Sequence, residues 1–356
     1  MTTQRIEGLP TALEQLTPEW LTGALSQRCG DVEVRGVEIT DVIWGTATKV
    51  FVGADYARRG NGEPPEALCV KGGFDDAMRS VAGLGYRVEA RFYRDLAPAF
   101  GDSVPRCWYA HEDEPGNQGL VIIDDLRAAG ATFGRPQATY TVDQVAGGLE
   151  ALAAWHGESW DRTGVGGFEW LTVGSQLFRP VVQGFLRPEH WDEYMTREQT
   201  RSFDAELRDR ERVATAVDRL WERDDAGVLS ISHGDPHTGN VYSFDDGALR
   251  FLDWQTTCLA PWADDVAYFL VGVLDVEERR AREQELLGHY LAALSATGAP
   301  APGFDDAWLA YRQHHLHGLM FALCPPEMQP PEVCTLMGDR YATAAIDHET
   351  LAAMAA

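Results

Sequence analysis

Strand-type patterning in this chain ends near Asp125, and helical patterning fills nearly everything after it. That segregation constrains the fold more than any other feature, because strands followed by a run of helices read as α+β. At 356 residues the chain is too long for one small domain. A typical ~100–200 residues per domain gives two. The expected organisation is therefore a β-rich N-terminal lobe over residues 1–125 and a helical C-terminal lobe over residues 126–356.

Within the first part, Thr17-Pro18-Glu19-Trp20 reads as a helix start, with Thr17 as N-cap and Pro18 in the first turn, running to about Cys29-Gly30. Val32 to Ile43 alternates as a strand with one phase slip at Gly36, which predicts a bulge. Gly45 to Thr48 is a turn of small residues, and strand character resumes at Val50. After a Gly- and Pro-rich loop over residues 58–65, Ala67 to Lys71 and Gly119 to Ile123 read as further strands. Between them Val81 to Leu96 has a helical stripe of Val88, Phe92 and Leu96. Beyond Asp125, helices are expected over residues 141–160, 203–223, 276–294, 304–323 and 337–353. Short strand pieces around a polar loop occupy residues 229–253.

The formal charge of −25 works against a nucleic-acid or anionic-membrane partner, either of which needs a basic patch. The longest apolar run, Val266 to Leu274, is half a membrane span. No apolar leader is visible at Met1 to Arg5, and the six cysteines show no metal or disulfide spacing. A cytoplasmic protein with reduced, buried thiols is expected. Of the 30 basic residues only Lys49 and Lys71 are lysines. A lysine surviving such an arginine bias, at the end of a buried-looking strand, fits a compact charge reaching a phosphate.

The densest polar signal is Ser232 to Asn240, with His233-Gly234-Asp235 at its head. Asn240 follows Asp235 by five residues and Asp253 follows it by eighteen. Two acids and an amide converging on one cleft are what Mg²⁺-dependent phosphoryl transfer needs: oxygen ligands for a hard cation and a carboxylate for the attacking hydroxyl. In kinases a catalytic-loop Asp, an Asn five residues on and a second metal-binding Asp do this work. Upstream, Gly45 to Thr48, Lys71 and Glu89 stand in the order that a phosphate loop, a phosphate-binding lysine and its helix-borne partner require.

These residues resemble the aminoglycoside phosphotransferase and choline-kinase-like superfamily, nearest to its ecdysteroid-kinase-like branch. The marks are Thr17 to Leu21, Val70-Lys71, Glu89 in Val-Glu-Ala-Arg-Phe-Tyr, Ile123 to Leu126, Leu152 to His156, His233 to Asn240, Asp253-Trp254-Gln255 and Asp265 to Tyr268. The resemblance spans about residues 11–325 and implies a protein-kinase-like two-lobe fold. It further implies a small-molecule kinase, with Mg²⁺ and ATP (or GTP) as phosphate donor and an alcohol as acceptor: aminoglycoside-like, amino-alcohol or steroid-like. Asp235 would be the catalytic base, Asn240 and Asp253 the metal ligands, and Lys71 and Glu89 the phosphate-binding pair. Gly45, Thr46 and Thr48 would lie against the phosphates, and Asp124 to Leu126 against the base. Asp265 would tie down the catalytic loop. Two departures stand out. The phosphate loop has one glycine, and Trp254-Gln255 replaces the Phe-Gly that follows the metal Asp in protein kinases. No Walker A motif is present, which removes P-loop kinases.

Other residues have structural readings beside functional ones. His233 reads as a loop brace, and His237 as either a loop brace or an acceptor contact. Trp191 is core or acceptor platform, in a stretch (161–200) that carries most of the expected acceptor diversity. His314 and His317 share a helix face, but no third ligand is in view, so that face reads as solvated or pocket-lining, with His314 an acceptor candidate. Two other functions compete with a kinase. One is a metal-dependent hydrolase built on His233, Asp235 and His237; the other is a nucleotide-binding pseudokinase.

Overall fold

The computed structural model describes residues 8–161, 169–325 and 329–355. The leader reading at the N-terminus and part of the 161–200 stretch lie outside those residues. The fold is α+β, with a β-rich N-terminal region and a helical C-terminal region. Two compact units emerge. The first comprises the chain up to Thr132 together with Phe251–Thr257; the second comprises Phe133–Arg250 and Cys258–Ala356. The first unit thus takes in a short segment from far along the chain, and that segment carries Asp253.

In the first unit, helix α1 (Pro18–Cys29) starts where Thr17 accepts a hydrogen bond from the Trp20 N–H, with Pro18 at the first helical position. Five strands follow: β1 (Val32–Ile43), β2 (Thr48–Arg59), β3 (Ala67–Gly72), β4 (Cys107–Asp113) and β5 (Gln118–Asp124). They form one antiparallel sheet in the order β1-β2-β3-β5-β4. The β1–β2 register slips on either side of Val34, next to Gly36, and again between Ile39 and Asp41. Val50, Val52, Leu68, Val70, Leu120 and Ile122 bury one sheet face in a common core with Leu21, Ala24 and Leu25 of α1. With a side-chain period of two, Lys49 and Lys71 fall on the opposite face.

The helix expected over residues 81–96 begins earlier. Asp75 caps it by accepting from the Met78 N–H, and α2 runs over Asp76–Arg91. Its first turn is largely exposed and buries no apolar residue, so the apolar stripe did not reveal it. A wider π turn over Phe92–Leu96 then keeps Phe92, Tyr93 and Leu96 buried. Helix α2 crosses β5 so closely that a Cβ on Gly119 would lie 2.1 Å from the Tyr86 carbonyl oxygen.

The second unit holds α3 (Val142–Glu158), α4 (Gly174–Phe185), α5 (Pro188–Tyr194), α6 (Arg210–Ala226), α7 (Trp262–Val273), α8 (Val276–Ala296), α9 (Phe304–Phe321), α10 (Pro331–Asp347) and α11 (Thr350–Ala353). Two expectations change. The segment read as helical from residue 203 is non-helical until Asp209, whose carboxylate caps the Glu211 and Arg212 N–H groups and starts α6. The last expected helix is two, α10 and α11, separated at Glu349, whose φ of 48° no α-helix accommodates. The short strands Ser230–Ser232 and Cys258–Ala260 pair antiparallel, and the loop that begins at His233 leaves the first of them. All six cysteines are buried and free. No helix among the described residues is long and apolar enough to cross a membrane.

Candidate active site

In the first unit the sheet face opposite the core gathers a charged cluster. The Lys71 ammonium lies 2.7 Å from Glu89 Oε1 and 2.9 Å from Asp253 Oδ1. Lys71 and Glu89 are each 3% exposed. Glu89 Oε1 also accepts the Trp254 N–H at 3.2 Å, so the α2 carboxylate holds both the lysine and the backbone that follows Asp253. The Trp254 ring stacks on Phe92 at 3.9 Å between centroids, which fixes this segment against the π turn. Asp253 itself has φ +69°, a left-handed conformation that an Asp tolerates at modest cost.

Burial pushes Glu89 upward and outweighs the Lys71 charge, so its carboxyl sits above the ordinary 4.5. Burial pulls Lys71 down, but Asp253 and then Glu89 overcome it and hold the ammonium above its ordinary value. A buried lysine with two carboxylates is a strong cation held ready. It is one that polyanionic phosphates would compete for.

Lys49 is a candidate that sequence reasoning passed over. It is the cross-strand partner of Lys71 in the β2–β3 register, and its ammonium is 3.9 Å from Asp253 Oδ2. The only two lysines of the chain therefore face the same carboxylate. Their shared parity on neighbouring strands was the available signal.

The turn from Gly45 to Thr48 joins β1 to β2. Its Thr46 carbonyl accepts the Tyr86 hydroxyl, and Thr48, 1% exposed, pairs with Gly72. Asp124 ends β5, where its carboxylate accepts the Trp108 indole N–H at 2.7 Å. Burial raises the Asp124 carboxyl, with that bond opposing. Leu126 is buried just beyond.

In the second unit the Asp265 carboxylate organises the loop that begins at His233. It accepts the His233 N–H (2.7 Å), the Gly234 N–H (2.9 Å) and the Ser232 hydroxyl (2.8 Å). His156 Nε2 lies 3.2 Å away and is itself held by the Tyr290 hydroxyl. Burial pushes Asp265 up, but the bond and charge of His156, with His233 and Ser232, outweigh it and keep the carboxyl below its ordinary value. Gly234, at φ +79°, lets the chain turn there.

Asp235 follows. Its Oδ2 accepts from Asn240 Nδ2 at 3.2 Å and lies 3.5 Å from His237 Nε2. His237 Nδ1 accepts the Gly239 N–H at 2.9 Å, so the proton of a neutral ring sits on Nε2, toward Asp235. Tyr268 of α7 also hydrogen-bonds Asp235. Both hydrogen bonds of the Asn240 amide run from Nδ2, one to the Asp235 carbonyl, which leaves Oδ1 as the atom suited to a cation. His233 turns its Nδ1 to the Asp235 N–H, the geometry of a brace. Tyr268 was legible only as part of a motif; its contact with Asp235 needs α7 in place.

The acceptor-side candidates fare differently. Trp191 is 2% exposed in the helical core, its indole N–H donating to the Arg208 carbonyl, a packing position. His314 is buried, and its Nε2 lies 3.1 Å from Asp224 Oδ1. The expectation that no further ligand accompanies His314 and His317 is overturned: α6 and α7 bring Asp224 and Asp264 to them. Burial lowers the His314 imidazole, but Asp224 and then Asp264 raise it to about 9.

Comparison with known proteins gives the same class. The ecdysteroid kinase-like family profile matches residues 75–299, which include Glu89, Asp235, Asn240, Asp253 and Asp265 and begin just after Lys71. Spectinomycin phosphotransferase APH(9)-Ia, solved with ADP and spectinomycin, is similar with a TM-score of 0.54 at 13% identity, covering 93% of this chain and 98% of that one. Choline kinase from Cryptosporidium parvum gives 0.54 at 10% identity, covering 87% and 89%. Choline kinase LicA from Streptococcus pneumoniae gives 0.50 at 12%, covering 94% and 98%. At these identities the likeness is one of fold. A comparison with curated protein sequences found no match.

Proposed function

Because the chain belongs to the ecdysteroid kinase-like family, within the kinase-like small-molecule phosphotransferases, we propose that it transfers the γ-phosphate of ATP (or GTP) to a hydroxyl of a small alcohol. The observation that carries this reading is the Lys71–Glu89–Asp253 cluster, in which a buried ammonium is held between two carboxylates. A structural ion pair has no need of the second acid, the positive φ at Asp253 or a second lysine beside it.

In this reading Lys71 and Lys49 bind the donor's phosphates, with Glu89 keeping Lys71 aimed. Asn240 Oδ1 and the Asp253 carboxylate are hard oxygen ligands that fit Mg²⁺. Bound there, Mg²⁺ would neutralise charge on the phosphates. Asp235 accepts the acceptor's hydroxyl proton as the new O–P bond forms and the bond between the γ-phosphorus and the β–γ bridging oxygen breaks, releasing the nucleoside diphosphate. Asn240, His237 and Tyr268 hold the Asp235 carboxylate in place, and Asp265 holds the loop backbone. The acceptors named by the solved relatives, spectinomycin and choline, define the first alcohols to try; steroid-like alcohols and sugars follow.

The hydrolase reading is disfavoured by geometry. His233 Nδ1 and His237 Nδ1 both accept backbone N–H groups, so the two rings brace the loop instead of pooling ligands.

The test is an ATP- and GTP-consumption screen across aminoglycosides, macrolides, amino alcohols, steroids and sugars, with Asp235→Ala as the blank. With the true acceptor, the variant should lose about 10²–10⁴ in turnover, the range for a positioned base, and keep nucleotide affinity. Near-normal phosphorylation by the variant would remove Asp235 from the chemistry.

A further inference from the structure

The second unit contains a buried cluster that the phosphoryl-transfer reading does not use. Asp224 of α6, Asp264 of α7 and His314 of α9 are each buried, and one potential ligand atom from each lies within 4.8 Å of the others. We propose that these three side chains form a site for one zinc-class divalent cation, separate from the nucleotide's magnesium.

The distances fit that chemistry. Zinc bonds to imidazole nitrogen and carboxylate oxygen of about 2.1 Å place the ligand atoms of a tetrahedron about 3.4 Å apart. His314 Nε2 lies 3.1 Å from Asp224 Oδ1 and 4.0 Å from Asp264 Oδ1, values that bracket that edge. His317 Nδ1 stands 3.6 Å from Asp264 Oδ1, a second imidazole beside the cluster.

The hydrogen bonding of His314 points the same way. Its Nδ1 lies 2.7 Å from the Ala310 carbonyl oxygen, so Nδ1 carries a proton and donates it there. That leaves Nε2 facing the two carboxylates. A divalent cation bound between Nε2 and the two carboxylates would take the place of the proton that Nε2 shares with Asp224 at 3.1 Å. An imidazole with one nitrogen donating to a backbone carbonyl and the other turned to two carboxylates has the orientation that outer partners impose on metal-bound histidines.

Space and charge agree. Asp224, Asp264 and His317 line a cavity of about 20 Å³, walled otherwise by Phe178, Trp221 and other apolar side chains. That volume admits one water-sized particle, too small for an acceptor alcohol. Two buried carboxylates with neutral imidazoles carry two negative charges, and a divalent cation cancels both, whereas a proton on His314 cancels one. The imidazole favours zinc and its first-row neighbours over Mg²⁺ or Ca²⁺. A cation here would join α6, α7 and α9. Asp264 adjoins Asp265, so the clamp would steady the residue that holds the catalytic loop.

The experiment uses the full chain, stripped with chelator and desalted, with Zn²⁺ alone as probe and no nucleotide. Calorimetry and elemental analysis of the reloaded protein should give one equivalent of zinc per chain. His314→Gln and Asp224→Asn should each weaken binding at least ~10-fold, while Asp253→Asn keeps it. Co²⁺ loaded into the wild-type chain should show the visible d–d absorption of a four-coordinate nitrogen–oxygen site, which decides the matter even if a variant fails to fold. The proposal is overturned if the wild type retains no zinc and Co²⁺ gives only the six-coordinate aqua spectrum. Equal binding by His314→Gln, or loss of binding in Asp253→Asn alone, also overturns it. None of these outcomes depends on whether the chain is a kinase.

Discussion

Replacing Lys71 by methionine removes the cation that neutralises Glu89 while nearly keeping the side-chain volume. Glu89 is 3% exposed, and burial is already the largest influence raising its carboxyl above 4.5. Without the ammonium, the carboxylate avoids its full desolvation penalty by binding a proton. Holding that proton costs about 1.4 kcal/mol for each pH unit above the unfolded pKa. With an unfolded value near 4.5, the ceiling is about 3 kcal/mol at pH 7 and about 1 kcal/mol at pH 5.5. Asp253 adds little, because it is more exposed and keeps Lys49 at 3.9 Å. The sign follows from linkage: a carboxyl whose folded pKa is raised destabilises above its unfolded pKa, and the loss grows with pH until the folded pKa is passed. Urea unfolding of wild type and Lys71→Met at both pH values therefore gives a difference in stability that shrinks on acidification. Lys71→Met/Glu89→Gln, which removes the stranded charge but keeps an acceptor for the Trp254 N–H, recovers most of the loss at pH 7. A loss equal at both pH values, or a double variant no better than the single, refutes the account of Glu89 as a charge that only Lys71 sustains.

Three further outcomes are expected. Lys49→Met should weaken nucleotide binding by roughly 10-fold or more, the loss of one charge-assisted contact of about 1.5–3 kcal/mol. The ligand-free protein should melt no lower, since the like-charged neighbour of Lys71 is gone; isothermal titration with ATP and a thermal melt check both, and unchanged affinity rejects the role. Asp265→Asn should cost about 3–5 kcal/mol at neutral pH by stripping a buried, multiply bonded charge. Because the folded pKa of Asp265 lies below 3.8, its contribution is complete above that value and is lost as pH falls through the lower folded one; the wild-type advantage should begin to narrow below about pH 4, and a gap that does not narrow on further acidification contradicts the assignment. Gly119→Ala would put a Cβ 2.1 Å from the Tyr86 carbonyl oxygen, backbone against backbone. The strain of about 1–3 kcal/mol should lower the melting point and loosen α2, and ATP affinity should fall with it; an unchanged melt argues against the tight α2–β5 crossing.

Period and spacing along the chain determined a good deal. Alternation placed Lys71 on β3 opposite Val70, and the Thr17–Pro18 start of α1 was legible because an N-cap acts on the backbone three residues away. The strings around Asp235, Asn240, Asp253 and Asp265 named the residues that carry the proposed chemistry, since loop geometry demands short fixed separations. The start of α2 at Asp76, the break at Glu349 and the delayed α6 escaped, because caps and turns prevailed over the apolar stripe.

Tertiary structure alone decided which distant groups became neighbours. Lys49 meets Asp253 only because β2 pairs with β3 and Phe251–Thr257 packs with the first unit. Asp224 and His314, ninety residues apart, stand 3.1 Å from each other because α6 and α9 share a core. The physical reason is one of range. Periodicity and capping are set by interactions within a turn or a strand pair, so the sequence writes them out locally. Burial, charge and tautomer in a cluster depend on what another element brings across the core, and no local pattern encodes that.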